Sequence, residues 1–281
     1  MMRARGAIWT TIAALVCTAG LSGCVHDDSS IFIQQVLQPG LVSAGQQCSF
    51  KADPTEPYIT QGSLDISLSG AYWAEYLVGN QLIAQSSPNQ LQTETSDVNL
   101  QGAEVRVTDG QGNPILSFTT LSAATIAAAS GGTPSWGLLS VRTIDSDVVQ
   151  ASPQLSELGS LYALGTYEVV RLVTYVKVFG KTLGGRYVES NEFEFPIDVC
   201  WGCLVSFLAA DEDPCYLLPN CRLGSVASST TSSVPCLIGQ DNPVDCSQCL
   251  SDPTCNPTLV LNPNLATDPA CSTTATDAGT D

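Results

Sequence analysis

Two cysteine pairs have the spacing of metal-binding or redox sites: CWGC, from Cys200 to Cys203, and CSQC, from Cys246 to Cys249. Four thiolates on two such knuckles can hold zinc tetrahedrally. A single CxxC can cycle between dithiol and disulfide where a helix N-terminus lowers one thiol pKa. Two features weaken both readings. Cys200 follows directly on the strand-like run FEFPIDV with no βαβ unit before it, and at least six other cysteines surround the pairs. Other chemistry is thin. His26 is the single histidine and lies near the chain start, so a Ser-His-Asp triad is excluded. Glycosidase chemistry needs only two carboxylates. Glu75, Glu104, Glu192 and Glu194 are available, but no motif pairs them. GKTLGG lacks the strand–loop–helix setting of a phosphate loop and reads as a hairpin turn. DEDPC, residues 211 to 215, reads as a solvated loop without EF-hand spacing. No catalytic residue, cofactor-binding residue or metal ligand is therefore assigned, and no cofactor is expected.

Cys24 stands in a different setting. Arg3 and Arg5 precede an apolar run from Ala7 through Leu15 and Val16 to Ala19, and the small residues Ser22 and Gly23 come just before Cys24. This is the layout of a secretory signal, too short for a comfortable membrane span. Leu21-Ser22-Gly23-Cys24 resembles the lipobox of bacterial lipoproteins. The resemblance covers only the first two dozen residues. It implies that Cys24 receives a diacylglyceryl thioether and becomes the mature N-terminus, and that several acyl chains then anchor the protein stably. Val25, in place of Asp, points by the same resemblance to the outer membrane. His26, Asp27 and Asp28 read as solvated residues beside the anchor.

Loss of the signal removes Arg3 and Arg5. Eight basic residues then face 27 acidic ones, a side-chain net charge of −19, against −17 for the whole chain. Such a balance disfavours nucleic acid, which demands basic patches, and disfavours direct adsorption to anionic lipid. Charged residues are only 13% of the chain, while Ser, Thr, Gly, Gln and Asn are abundant. That composition fits exported β-structure and loops better than a helical cytosolic enzyme.

The elements that would position any site follow from period-two patterning. Leu64, Ile66 and Leu68 alternate with polar residues. YWAEYLVGNQL supplies strand-forming aromatics. Ala103, Val105 and Val107 alternate with Glu104, Arg106 and Thr108 and lead to an Asp109-Gly110 turn. PILSFTTLS and WGLLSVRTI continue the series, with Leu139, Val141 and Thr143 on one side. Val170, Leu172, Thr174, Val176 and Val178 share a face of a long β-branched strand. Phe193, Phe195 and Ile197 form the last, where Pro196 argues for a sheet edge. Residues 120–130 and 152–164 read as helices or as loops over the sheets, with Ser152-Pro153 as the start of the second where it is helical. Trp73 and Trp201 read as core residues.

Seven or eight strands of this kind predict a mainly β fold, an immunoglobulin- or fibronectin-like sandwich. The expected organisation is a signal over 1–23, a tether over 24–57 containing the strand-like 31–39, and a sandwich over 58–199. A cysteine-rich, largely irregular segment over 200–271 and a disordered tail over 272–281 complete it. Of the 12 cysteines, Cys17 leaves with the signal and Cys24 carries lipid. The remaining ten are Cys48, Cys200, Cys203, Cys215, Cys221, Cys236, Cys246, Cys249, Cys255 and Cys271. An even number in an exported chain predicts five disulfides of undetermined connectivity. Cys48 is the outlier, expected to reach the cysteine-rich segment. The functional expectation is a lipid-anchored envelope protein with a structural or binding role: an assembly subunit, adhesin-like module or scaffold. Its partners would be the membrane, through Cys24, and an envelope protein or glycan. An accessory carbohydrate-active protein or a thiol–disulfide redox protein is the alternative.

Overall fold

The computed structural model describes residues 29–43, 46–85, 92–207 and 233–249. Its strands are β1 (Ile31–Leu37), β2 (Leu41–Val42), β3 (Tyr58–Ile59), β4 (Gly62–Asp65), β5 (Tyr72–Asn80), β6 (Val98–Asp109) and β7 (Pro114–Ile126). They continue with β8 (Ser135–Ile144), β9 (Val169–Thr182), β10 (Tyr187–Glu189), β11 (Phe193–Cys200), β12 (Val205–Ser206), β13 (Val234–Pro235) and β14 (Val244–Asp245). Two helices, α1 (Ser146–Ala151) and α2 (Pro153–Ala163), lie between β8 and β9.

The fold is mainly β and consists of two large sheets around one core. The first has the order β3-β1-β5-β8; the second runs β4-β11-β9-β6-β7, with β10 paired to β9. Alternation drives the packing. Tyr72, Ala74, Tyr76 and Val78 of β5 meet Val105 and Val107 of β6, and Leu172, Val176 and Val178 of β9, in a shared buried cluster. Thr174 is also buried in that face and donates its hydroxyl to Phe195 O at 2.9 Å. The polar residues between them stay on the outer faces, the sheet pattern expected when one side is covered.

Several elements differ from the sequence-based expectation. Within the supposed tether, Ile31–Leu37 is β1, paired on both sides, with Ile31 and Val36 in the core. Residues 120–126 belong to β7, not to a helix. Their side chains alternate between more and less exposed positions, which suits a strand, and the alanines supply too little apolar surface for a helical face. Pro196 does not mark an edge strand, because β11 lies between β4 and β9. The β4 ladder begins only at the Ile197–Gly62 pair, so Pro196 sits just outside it and need not donate there. Ile66 and Leu68 lie beyond the end of β4, since the Asp65 side chain turns the chain after it. Residues 152–164 do contain α2, with Pro153 in its first turn.

Candidate functional site at the disulfide-locked end

The chemically rich region lies where β4 and β11 end side by side. Their parallel register places Asp65 beside Cys200. The Asp65 carboxylate is fully buried. Its Oδ1 accepts from Ser67 N at 3.1 Å, Ser67 Oγ at 2.6 Å and Gly202 N at 2.8 Å, and its Oδ2 accepts from Leu204 N at 2.9 Å. The two bonds to Ser67 form an Asx-type turn that ends β4. The two bonds across to Gly202 and Leu204 fold the CWGC loop around an anion. Gly202 has φ of +73°, a conformation glycine adopts without steric cost.

Cys200 and Cys203 are joined as a disulfide. Cys200 is buried and Cys203 exposed. Asp65 and these two cysteines form the one potential metal-ligand group among the described residues, their ligand atoms within 4.8 Å of one another. In this state the sulfurs are bonded to each other and the carboxylate oxygens are filled by protein donors. The arrangement therefore holds a loop, with Cys203 on its exposed side. Trp201 projects from it onto α2, where a Cβ at Gly159 would lie 3.0 Å from the indole.

A second carboxylate closes the same end. Asp241 has φ of 61°, and its carboxylate accepts from Ser63 N at 2.9 Å and from the Tyr72 hydroxyl, 3.0 Å from each oxygen. Burial pushes the Asp241 carboxyl above its ordinary range, and the hydrogen bonds from Ser63, Gln240 and Tyr72 oppose this only in part. Burial first, and the Asp241 charge second, push the Tyr72 hydroxyl far up. Gln240 acts as a surrogate strand residue. Its amide oxygen accepts from Trp73 N at 2.9 Å, and its amide nitrogen donates to Trp73 O at 2.6 Å. The backbone of the same segment adds to β4 through Asp65 N–Gly239 O and Asp241 N–Ser63 O, each 2.9 Å. Residues 239–241 thus bridge the mouth between the two sheets.

Covalent and backbone links hold that bridge. Cys48 is bonded to Cys236 across a separation of 188 residues. β13 pairs with β2, and β14 pairs with β12 just after the CWGC loop. Cys246 and Cys249 each take part in a disulfide as well. The two CxxC pairs therefore do not supply four free thiolates for zinc in this state. Cys215, Cys221, Cys255 and Cys271 lie outside the described residues, as do the lipidation candidate Cys24, His26 and the 211–215 loop.

The carboxylates considered for glycoside chemistry are spread over two faces. Glu75 lies in β5 with burial pushing its carboxyl up. Glu104 and Glu192 share an open groove of about 670 Å³ on the outer face of the second sheet, with Lys177, Tyr187 and Glu189. There Arg106 pairs with Glu192 at 2.9 Å and Lys177 with Glu189 at 2.7 Å. Tyr187 stacks on Phe179 with centroids 6.5 Å apart, and the Arg106 guanidinium lies 4.0 Å from the Tyr175 ring centroid. Glu194 is exposed on β11. Trp73 is 45% exposed and so is not a core residue, whereas Trp201 packs partly buried against the core. Trp136 meets Phe32 edge-on at 5.6 Å.

Asp65, Gln240 and Asp241 escaped the sequence reading, and Tyr72, a candidate for an exposed aromatic face by sequence, is fully buried. The only local signal was Asp65 two residues before Ser67, an Asx-turn spacing. No family model matches the chain, and no curated protein matches it. Among solved structures, a crystal structure of a protein from Archaeoglobus fulgidus is similar over 46% of this chain and 93% of that one, at 12% identity and a TM-score of 0.21. That likeness is too slight to support any assignment. Among the described residues, no helix is long and apolar enough to cross a membrane.

Proposed function

We propose that this chain is an exported envelope protein anchored in the outer membrane by lipid on Cys24, and that it works by binding or assembly. The observation that carries the reading is the Cys48–Cys236 disulfide, which ties the chain near its start to a segment 188 residues further on. Bonds of this kind persist in oxidising compartments, in keeping with the export signal read from Arg3 to Cys24. The carboxylates at the locked end are occupied in holding backbone, which is a structural task. Detergent phase partitioning tests the anchor. The native protein is expected in the detergent phase and the Cys24→Ser variant in the aqueous phase. Native protein in the aqueous phase overturns the reading.

The groove on the second sheet favours a glycan as the partner. An exposed aromatic ring beside carboxylates and cations offers both stacking and hydroxyl recognition. Binding on a glycan array that is lost in Tyr187→Ala, with folding retained, supports this. Equal binding by the variant contradicts it.

A further inference from the structure

The second sheet ends on β7, and no described strand pairs with its outer side. A free edge exposes unpaired backbone donors and acceptors, and proteins commonly blunt it with charge, proline, short length or cover. β7 lacks the first three. It runs for 13 residues, carries no charged side chain, and has its single proline at the first position. The other edges are protected: β3 has two residues, β4 is covered by residues 239–241, β10 has three residues including Glu189, and β8 carries Arg142.

A bulge interrupts the β6–β7 pairing near Leu100 and Gly102, leaving Leu116–Leu121 as an unbroken stretch of ladder. Leu116 and Phe118 pack partly buried against the core. Ser117, Thr119 and Leu121 face out, and Leu121 is 82% exposed. In a chain of net charge −17, copies repel one another over most of their surface. The β7 edge carries no charged side chain, which lowers that repulsion there.

We propose that two copies of this chain associate through β7, antiparallel about a two-fold axis, so that the second sheet continues across the pair. Centring on Phe118 sets each Phe118 beside its copy and Ser117 opposite Thr119, a self-complementary register. Arg106, paired with Glu192, flanks Ser117, and Glu104 flanks Thr119, so no like charges face each other along a row in this register. The inference does not depend on the lipid anchor.

Sedimentation equilibrium of the mature full-length protein, in density-matched detergent, tests it. The account predicts a dimer at about 50 µM. Thr119→Lys/Leu121→Lys is expected to be monomeric there, with an unchanged circular dichroism spectrum. Leu121→Lys alone alters one highly exposed side chain and is expected to weaken the dimer about tenfold. A monomeric native protein, a native assembly larger than a dimer, or a dimer indifferent to Leu121→Lys overturns the proposal.

Discussion

Asp65 shows how one side chain can specify a loop. Its carboxylate satisfies the backbone N–H groups of Gly202 and Leu204 without exposure to solvent. Asp65→Ala strands those donors, and a loss of about 3–5 kcal/mol is expected in chemical denaturation. Asp65→Asn keeps acceptor capacity on one oxygen only and should fall between. Asp241 gives a pH signature. Its folded-state pKa is raised by burial, so folding is favoured when the group is protonated. That contribution is full below the ordinary carboxylate range and is lost as pH rises through the elevated folded value. Asp241→Asn retains an acceptor and tolerates the left-handed backbone. The native protein should therefore lose stability relative to this variant as pH is raised from about 3.5 towards neutrality. Parallel stability profiles would contradict the assignment. These residues were hard to read from sequence for a physical reason. Asp65 stands in a run where alternation marks it as an outward polar residue, and Asp241 stands in turn-forming GQDN. Their partners Gly202, Leu204, Ser63 and Tyr72 are more than 130 positions away in sequence, so only the folded register brings them together.

At the scale of elements, alternation located most of the strands because each buries one face. It failed where the two faces differ little. Residues 120–126 are mostly small and hydroxylated and read as helix or loop, yet they pair with β6 as a strand. β1 was undervalued because its seven residues include two glutamines, yet Gln35 is buried and donates to Glu56 O at 3.3 Å. The junction between β4 and β5 yields a test of packing. A Cβ on Gly62 would overlap the Tyr72 ring and hydroxyl, and Tyr72 is held by Asp241. Gly62→Ala should cost about 1–3 kcal/mol. Combined with Tyr72→Phe, whose ring is no longer tethered, it should cost less than the two single changes added together. Strict additivity in that double-mutant cycle would refute the contact.

At the scale of the molecule, the described residues form two sheets packed on one another whose shared end is closed by a distant part of the chain. The sequence suggested a boundary near residue 199, but residues 234–245 pair with β2, β4 and β12 and share the core end. Their low apolar content hid this, because they are held by hydrogen bonds and disulfides more than by buried side chains. Breaking Cys48–Cys236 should therefore have a large effect. Cys48→Ser/Cys236→Ser is expected to lose about 2–5 kcal/mol, read as a lower thermal midpoint, since the bond closes a very long loop. A midpoint unchanged from the native protein would show that the hydrogen bonds of residues 239–242 suffice. The most direct test of the central claim is the intact mass of protein extracted from membranes, first non-reduced and then reduced and alkylated. The account predicts a chain beginning at an acylated Cys24, with its ten remaining cysteines alkylated only after reduction. An unlipidated chain, or CxxC thiols alkylated before reduction, would contradict it.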